Sequence, residues 1–371
     1  MMDGKIRVGL IFGGKSGEHE VSLASAQAVL RALDPLRYDA VLIGVSKEGK
    51  WLTEGNPLKT LVNATHSPLL RPMNGADVPA AATALLTRDA AAMTTADALH
   101  ERVDVAFPLI HGPNGEDGTI QGLLELADVP YVGAGVAASA VGMDKQLMKA
   151  LFRDAGLPVV EFLVVTRRQW EREPEETIRE IETALAYPCF VKPANLGSSV
   201  GVAQARNWDE LTQALANAAL YDRKILVERA VDAREIECSV LGNDMPLASL
   251  PGEVIPEREF YDYAAKYADE RTRLIVPAAL TDEQTQTVQE LAVRAFLALD
   301  CSGMARVDFF LDKRDGKILV NEINTIPGFT AVSMYPRMWQ ASGLSYPQLL
   351  DRLIQLALER YADKKRNQTT Y

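Results

Sequence analysis

Residues 304–324 decide the fold, and they read MARVDFFL (304–311), DKRDG (312–316) and KILVNEIN (317–324). Two apolar runs flank a turn that contains an Asp-Gly pair, which is a pattern typical of a β-hairpin. The length of the segment between the runs indicates a loop longer than the two-residue form. The stretch therefore predicts two antiparallel strands that are neighbours in one sheet.

Four polar side chains of this hairpin fall on the same face. Symmetry about Asp315 places Asp308 opposite Glu322. It also places Arg306 opposite Asn324, and the two-residue spacing brings all four side chains to one side of the sheet. Two facing carboxylates repel each other unless a cation lies between them, and Asp, Glu and Asn oxygens are ligands that Mg²⁺ prefers. The face therefore predicts a site for a magnesium-nucleotide complex.

A plain structural interpretation of the same face competes with the metal site. Antiparallel hairpins commonly alternate polar and apolar residues because one face meets solvent. The segment that follows, TIPGFT at 325–330, is a rigid turn that offers backbone N–H groups beside the predicted metal. This neighbour favours the metal site.

Three further segments have features of nucleotide binding. Lys192 lies in a short strand before ANLGSSVG at 194–201, so a lysine charge and backbone donors could meet phosphate oxygens. Lys145 stands at the head of a helix, where alone it indicates only a surface lysine. The strand at 224–231 leads to Glu235, so its backbone could hold adenine and the carboxylate could hold a ribose. Taken singly, these segments also fit a plain turn and a strand end.

The beginning of the chain predicts a Rossmann-like α/β domain. A strand at Lys5–Phe12 runs into the glycine-rich turn 13–17 and a helix at Glu20–Leu33, and strands follow at Ala40–Val45 and Val103–Ile110. Apolar strands that alternate with helices predict a parallel sheet, with its functional loops at the carboxyl ends of the strands.

The rest of the chain predicts two α+β units. We expect one continuous helix at Ala138–Asp154, and we interpret the alanine-rich residues 53–100 as a peripheral insertion. The resulting division is an N-terminal α/β domain over 1–143, a central unit over 144–245 and a C-terminal unit over 246–371. A chain of 371 residues exceeds what one hydrophobic core usually organises, which agrees with several units.

Composition excludes several classes of function. The net charge of −11 without a long basic run argues against a nucleic acid or an anionic membrane as partner. No apolar stretch reaches the ~18 residues of a membrane span, and nothing indicates export, so we expect a cytoplasmic protein. Cys189, Cys238 and Cys301 are odd in number and lack metal-binding spacing, which predicts buried, reduced, structural thiols.

Seven segments, in one order along the chain, resemble the D-alanine–D-alanine ligases of the ATP-grasp superfamily. They are GGKSGEHEVS (13–22), HGPNGEDG (111–118), MDK (143–145), VKP with its loop (191–201), FYDYAAKY (260–267), NEINT (321–325) and PG (327–328). This resemblance implies a Rossmann-like pre-ATP-grasp domain followed by a two-subdomain ATP-grasp fold that grips ATP.

The resemblance also implies which residues bind the nucleotide. Those implied for ATP are Lys145, Lys192 and Lys266 with Ser199, then Glu228 and Val231 at the adenine and Glu235 at the ribose. Two Mg²⁺ ions, for which Mn²⁺ can substitute, would be bound by Asp308, Glu322 and Asn324. The adenine strand reads ERAV at 228–231, where an aromatic residue often follows the charged pair in the family.

The catalytic and substrate-binding residues follow from the same resemblance. Glu18, Ser198 and Tyr267 would lie near the amino group of the first D-alanine, and His111 would lie beside that substrate and the transferred phosphate. Arg306 and the Gly328 backbone would stabilise the oxyanion. Ser333 with Gly328 would position the carboxylate of the second substrate.

The implied activity is ATP-dependent joining of two D-alanines through D-alanyl phosphate, for peptidoglycan precursor synthesis. The resemblance also implies a homodimer formed through the N-terminal domain.

The nearest alternative is a D-alanine–D-lactate ligase, against which Tyr267 counts because ester-forming relatives tend to lack it. A dinucleotide-dependent dehydrogenase is disfavoured because GGKSG at 13–17 lacks the GxGxxG spacing. A non-catalytic nucleotide-binding module would not need Arg306, Asp308, Glu322 and Asn324 together.

Overall fold

The computed structural model describes residues 4–65, 67–71, 73, 82–84, 95–255, 273–330 and 332–368. The predicted site residues Lys266 and Tyr267 therefore lie outside the described residues, as does the rest of the segment 260–267.

The N-terminal part is an α/β unit around a mainly parallel sheet. Its elements are β1 (Ile6–Gly13), α1 (His19–Ala32), β2 (Tyr38–Val45), β3 (Trp51–Leu52), α2 (Pro57–Ala64), β4 (Thr83–Ala84), α3 (Thr95–Arg102), β5 (Val105–Pro108), α4 (Thr119–Leu126) and α5 (Val136–Met143). The central strand β1 pairs in parallel with β2 and β5, β4 pairs in parallel with β2, and β3 joins β2 antiparallel. This arrangement confirms the predicted parallel αβ sheet.

The interpretation of residues 53–100 as a peripheral insertion is wrong for α2. Leu58, Leu61 and Val62 of this helix are buried in the same core cluster as Leu10 and Leu42 of the central strands. The sequence of α2 is apolar on one side, and burial of that side against the sheet removes it from water.

The helix predicted at Ala138–Asp154 is two helices, α5 and α6 (Lys145–Asp154). Asp144 lies between them with φ −87° and ψ 99°, which is outside the helical region. Its side chain accepts hydrogen bonds from the backbone N–H groups of Gln146 and Leu147, so it caps α6. The break fixes the position of Lys145 as the first residue of a new helix.

The middle of the chain forms a four-stranded antiparallel sheet covered by helices. Its elements are β6 (Phe162–Thr166), α7 (Arg167–Arg172), α8 (Pro174–Leu185), β7 (Cys189–Pro193), β8 (Ala203–Ala205), α9 (Trp208–Tyr221) and β9 (Lys224–Arg229). The strand order is β6-β9-β7-β8, which makes β7 and β9 neighbours. Lys192 on β7 and Glu228 on β9 thereby come to lie in adjacent strands.

The last part forms a second antiparallel sheet. Its elements are β10 (Ala233–Gly242), β11 (Leu247–Ala248), β12 (Gly252–Ile255), β13 (Arg273–Ile275), α10 (Asp282–Ala298), β14 (Gly303–Asp312), β15 (Ile318–Asn324), α11 (Met334–Ala341) and α12 (Tyr346–Lys364). The order is β13-β12-β10-β14-β15, with β11 beside β10. This sheet therefore includes β10, although β10 lies within the range 144–245 that was predicted to form the central unit.

The hairpin β14–β15 confirms the predicted register. Asp308 pairs with Glu322, and Arg306 pairs with Asn324. The register shifts between Asp308 and Phe309, which is a β-bulge. The unpaired residue is Asn321 on β15, directly beside Glu322, and the pairs nearer the loop are offset by one residue from the predicted symmetry.

The C-terminal helix α12 returns to the N-terminal sheet. Leu349 and Leu353 are fully buried in the core cluster that contains Val8 and Leu10 of β1. Arg360 donates hydrogen bonds to the backbone carbonyl groups of Gly133 and Tyr131. The first and last parts of the chain thus share one hydrophobic core.

The three cysteines are free and buried, as predicted. Within the ranges that the structure describes, no helix is long and apolar enough to span a lipid bilayer.

Candidate active site

The polar face of the hairpin β14–β15 is organised around Asp308. Arg306 donates two hydrogen bonds to this carboxylate, from Nε to Oδ1 at 2.6 Å and from Nη2 to Oδ2 at 2.7 Å. The amide nitrogen of Asn324 donates to Asp308 Oδ2 at 3.0 Å, which directs the amide oxygen to the other side. Three of the four predicted residues are therefore linked directly.

A third carboxylate, which the sequence analysis missed, joins this face from β10. Glu237 pairs in register with Asp308 across the β10–β14 ladder, and its Oε2 lies 3.2 Å from Arg306 Nε. Burial alone lowers the pKa of Arg306, but attraction by Asp308 and Glu237 outweighs it and holds the pKa well above the usual value. The guanidinium group thus stays charged and in place.

Lys145 brings a positive charge to the same face from the start of α6. Its Nζ donates to the carbonyl oxygen of Leu196 at 2.8 Å and lies 3.8 Å from Glu322 Oε2. A cleft opens here, and the residues that line it include Glu116, Gly142, Lys145, Gly197, Glu322 and Asn324. The predicted phosphate-binding lysine and the predicted metal ligands therefore share one cleft.

Lys192 is the second predicted phosphate-binding lysine, and it forms part of a buried chain of charges. Its Nζ donates to Glu228 Oε2 at 2.5 Å, and the other oxygen of Glu228 lies 2.8 Å from Lys149 Nζ. The side chains of Lys149 and Glu228 are 1% and 2% exposed. Burial raises the pKa of Glu228, but the two lysines overcome this effect and lower the pKa to about 2.

The loop after β7 is anchored to the N-terminal unit. Ser198 Oγ donates to Glu18 Oε1 at 2.5 Å, which brings together two of the three residues predicted near the first substrate. Ser198 and Ser199 adopt φ angles of 51° and 57°, in the left-handed region that costs ~1 kcal/mol or more for each non-glycine residue. The contact with Glu18 therefore helps to hold a strained loop across the cleft.

His111 lies buried between the N-terminal unit and the turn after β15. Its Nδ1 lies 3.0 Å from the carbonyl oxygen of Ile326, and because a carbonyl only accepts, Nδ1 carries the proton. Its Nε2 lies 3.3 Å from Ser25 Oγ, and this hydroxyl also accepts from the backbone N–H of Phe329. Burial lowers the pKa of His111, but the neighbouring carboxylates of Glu116 and Glu18 raise it above the usual value.

Gly328 and Ser333 flank the turn that follows β15. The backbone N–H of Thr330 donates to Ser333 Oγ at 3.1 Å, and the two hydroxyl oxygens lie 2.7 Å apart. A Cβ atom at Gly328 would lie 3.2 Å from Ser333 Oγ, so the absence of a side chain there lets the hydroxyl approach the backbone closely. The structure thus brings these two predicted residues together.

The predicted adenine and ribose residues occupy the connection between the two antiparallel sheets. Val231 lies between β9 and β10, and Glu235 lies on β10 opposite Phe310 of β14. The carboxylate of Glu228 contacts two lysines. The backbone of Glu228 is therefore the part of this residue that can bind a base. Ser199 lies in the anchored loop beside Ser198.

Two charged residues that the sequence analysis missed had signals in the sequence. Lys149 follows Lys145 by one helical turn, and residues four apart lie on the same side of a helix. Glu237 follows Glu235 by two positions, so the two carboxylates lie on one face of the strand. Both spacings are visible in the sequence, but neither identifies the partner side chain on a distant segment.

The donor set on the hairpin fits Mg²⁺. Among the residues that the structure describes, no three His, Cys, Asp or Glu side chains form a group that could hold a metal ion by themselves. Mg²⁺ is commonly bound through one or two carboxylates together with substrate phosphates and water. The pair Asp308 and Glu322, with the amide oxygen of Asn324, therefore suits a Mg²⁺ ion that is shared with a nucleotide.

Two protein-family models together match most of the chain. Residues 7–134 match the family model described as D-ala D-ala ligase N-terminus, and residues 151–355 match the one described as D-ala D-ala ligase C-terminus. The chain belongs to the D-alanine–D-alanine ligase family. Family membership confirms the resemblance found in the sequence, and it carries with it the ATP-grasp fold and an ATP-dependent ligase class of enzyme.

Similar proteins in this ligase family match the chain over nearly its full length. The D-alanine–D-alanine ligase of Heliobacterium modesticaldum is 50% identical over 365 residues, which covers 98% of each chain. The structure of the D-alanine-D-alanine ligase from Coxiella burnetii has a TM-score of 0.79 at 38% identity and covers 98% of this chain and 96% of that one. The VanG D-Ala:D-Ser ligase from Enterococcus faecalis has a TM-score of 0.79 at 34% identity, with coverages of 95% and 100%.

Proposed function

We propose that this chain is an ATP-dependent ligase that joins two D-alanine molecules into D-alanyl-D-alanine through a D-alanyl phosphate, with release of ADP and phosphate. The observation that carries the proposal is the cleft in which Lys145 lies 3.8 Å from Glu322 while Glu322 pairs with Asp308. Lysine charge and facing carboxylates in one cleft are what phosphoryl transfer from a magnesium-bound nucleotide requires.

Activation of the first substrate is the step that the lysines serve. A carboxylate is a poor electrophile, so amide formation needs a phosphoryl group on it as leaving group. Lys145 and Lys192 stabilise the negative charge that spreads over the transferred phosphoryl oxygens. Asp308, Glu322 and Asn324 would hold two Mg²⁺ ions, which when bound supply further charge neutralisation.

The nucleotide lies between the two antiparallel sheets in this proposal. The backbone of Glu228 and Val231 binds adenine, Glu235 binds the ribose, and Ser199 and Lys266 bind phosphate. Burial lowers the pKa of Lys192, but Glu228 and, to a smaller extent, Glu235 raise it above the usual value. The carboxylate of Glu235 therefore lies close enough to Lys192 to support this placement. Ribose and phosphate contacts are thus neighbours.

The first D-alanine lies under the loop that Ser198 anchors. Glu18 accepts a hydrogen bond from the substrate ammonium, and Ser198 orients that carboxylate, with Tyr267 as the third member of the set. His111 lies beside the substrate carboxylate, and its contact with the Ile326 carbonyl fixes which ring nitrogen carries the proton. A loop held closed also excludes water, which would hydrolyse the acyl phosphate.

The second D-alanine attacks from the side of the turn after β15. Its carboxylate is positioned by Ser333 and Gly328, and its amine attacks after it loses a proton. Arg306 and the Gly328 backbone N–H stabilise the oxyanion that then develops. The two hydrogen bonds from Arg306 to Asp308 support this role because they fix the guanidinium before the reaction.

The test is an assay of phosphate release with ATP and a single candidate substrate. We expect turnover with D-alanine and none with L-alanine, and we expect mass spectrometry to identify the dipeptide. Mixtures of D-alanine with D-serine or D-lactate distinguish a dipeptide ligase from relatives that use another second substrate. Turnover that does not depend on D-alanine contradicts the proposal.

We further propose that the enzyme is a cytoplasmic homodimer formed through the N-terminal domain. The family resemblance supports this assembly. Analytical ultracentrifugation over a range of concentrations tests it: a monomer at every concentration contradicts the proposal.

A further inference from the structure

Lys149 is a fully buried lysine that no step of the proposed reaction uses. It lies on the buried side of α6 between Met148 and Phe152, both of which belong to a hydrophobic core cluster. A charged side chain in such surroundings costs several kcal/mol unless a partner compensates it. An apolar residue would pack at this position without that cost, so packing alone does not explain a lysine here.

The partner of Lys149 is Glu228, which already has another cation. Glu228 Oε2 lies 2.5 Å from Lys192 Nζ, while Oε1 lies 2.8 Å from Lys149 Nζ. One carboxylate is therefore shared by two ammonium groups, and this trio has a surplus positive charge. Glu322 and Glu235 also attract Lys192, but less strongly than Glu228 does.

Exposure shows where the surplus charge is directed. The side chain of Lys149 is 1% exposed, that of Glu228 is 2% exposed, and that of Lys192 is 13% exposed. Lys192 is thus the member of the trio that can reach a ligand, and Lys149 acts only through Glu228. Without Lys149, Lys192 alone would neutralise Glu228, and its charge would not be available to a ligand.

We propose that Lys149 is a positioning residue for the nucleotide phosphates: it holds and neutralises one oxygen of Glu228, so that Lys192 is aimed by the other oxygen with its charge available to the phosphates. This inference rests on the proposed function only in that Lys192 binds a nucleotide. Lysine charge buried behind a phosphate-binding residue raises affinity for a polyanion without touching it, because the low-dielectric interior screens charge weakly.

The experiment compares three variants for binding of a non-hydrolysable ATP analogue with Mg²⁺ by calorimetry. Lys149→Met keeps an apolar stem and deletes the charge, and it should raise the dissociation constant by about tenfold or more, as expected when a buried charged contact is lost. The double variant Lys149→Met with Glu228→Gln removes one charge of each sign and should recover most of that affinity. Arg153→Met removes a cation from the same helix, where Arg153 stacks on Phe162, and should bind like the wild type.

Kinetics separate positioning from a structural role. Lys149→Met should raise the KM for ATP more than it lowers kcat, and Lys149→Arg, which keeps the charge, should restore much of the KM. Unchanged analogue affinity in Lys149→Met, or a double variant that binds no better than Lys149→Met, overturns the proposal. If Lys149→Met does not fold, the double variant decides alone: affinity near wild type supports the proposal, and a tenfold loss, about 1.4 kcal/mol, overturns it.

Failure of this inference is distinguishable from failure of the proposed function. A wild-type enzyme that binds the analogue but joins no D-alanine contradicts the ligase assignment and leaves the role of Lys149 open to the same binding test. An enzyme that joins D-alanine while Lys149→Met binds the analogue normally contradicts only the inference.

Discussion

Ser198 donates a 2.5 Å hydrogen bond to Glu18 although the two residues are 180 positions apart in the sequence. The bond joins the strained loop after β7 to the residue that precedes α1. Ser198→Ala should raise the KM for D-alanine by about tenfold or more, because a hydrogen bond to a charged group contributes ~1.5–3 kcal/mol. Steady-state kinetics at saturating ATP measure this effect. The control is Ser46→Ala, which removes a similar 2.7 Å contact with Glu48 on the surface and should leave KM unchanged.

Glu322→Gln should abolish nearly all ligation and leave the fold intact. The substitution keeps the shape of the side chain but removes one of the two carboxylates that face each other across the hairpin. Phosphate release is measured over a Mg²⁺ titration, with melting temperature as the check on folding. Turnover within a few-fold of wild type at moderate Mg²⁺ would show that Glu322 is not a metal ligand. Glu290→Gln on the exposed side of α10 provides the control.

Lys192→Met should weaken nucleotide use more than it weakens the fold. The methionine keeps the apolar stem and deletes the charge, while Lys149 remains to compensate Glu228. The expected result is a large loss of ATP turnover with a small change in melting temperature. Normal turnover combined with early melting would instead make Lys192 structural. Lys313→Met breaks an exposed ion pair with Asp232 and should change neither quantity.

Glu228 predicts a specific pH dependence of stability. Its pKa in the folded protein is about 2, because two lysines overcome the effect of burial, and this is below the value of 4.5 for an unperturbed glutamate. A carboxylate with a lowered folded pKa stabilises the protein above its unfolded pKa and loses that contribution as the pH falls towards its folded pKa. Wild type should therefore exceed Glu228→Gln in unfolding free energy at neutral pH, and the difference should shrink between pH 4.5 and pH 2.

Denaturant unfolding without nucleotide, at several acidic pH values, measures this difference. Glu359→Gln, which breaks the exposed pair with Arg352, should give a small difference at every pH. A constant difference between wild type and Glu228→Gln across the range would show that the carboxylate does not titrate with a lowered pKa.

Tyr267→Phe should reduce the preference for an amine over a hydroxyl as second nucleophile. The expectation rests on the family resemblance, in which this residue joins Glu18 and Ser198. Loss of one buried hydrogen bond should lower the advantage of D-alanine over D-lactate by ~1–3 kcal/mol, most clearly below neutral pH. Equal amounts of both substrates, offered at pH 6 and pH 8, give the ratio of dipeptide to depsipeptide. An unchanged ratio at both pH values would show that Tyr267 does not select the nucleophile.

The hairpin register was predictable because strand periodicity and an Asp-Gly turn act together. Alternation puts Asp308 and Glu322 on one face, and symmetry about Asp315 predicts that they lie opposite each other. The bulge was not predictable, since nothing in the run KILVNEIN marks Asn321 as the residue that is left unpaired. Next to the loop Leu311 pairs with Ile318, a register that would set Asp308 opposite Asn321 without the bulge. The observed pairing of Asp308 with Glu322 therefore depends on the bulge as well as on strand alternation.

The break between α5 and α6 and the role of Lys149 escaped prediction for different reasons. The break depends on one capping side chain, Asp144, inside a stretch whose composition otherwise favours continuous helix. The role of Lys149 depends on Glu228, which the antiparallel pairing of β9 with β7 places beside Lys192. Sequence spacing shows which residues share a face, but contacts between faces are set by the fold.

The return of α12 to the N-terminal sheet has a consequence for how this protein is made. Leu349 and Leu353 complete the core around Val8 and Leu10, yet they are synthesised long after β1. The part of this core where α12 packs against α1 and β5 must therefore stay uncovered on the nascent chain until α12 has been synthesised. Chaperones that shield apolar surface would have to protect it for that time, and premature termination just before residue 346 would leave a polypeptide that aggregates and is degraded.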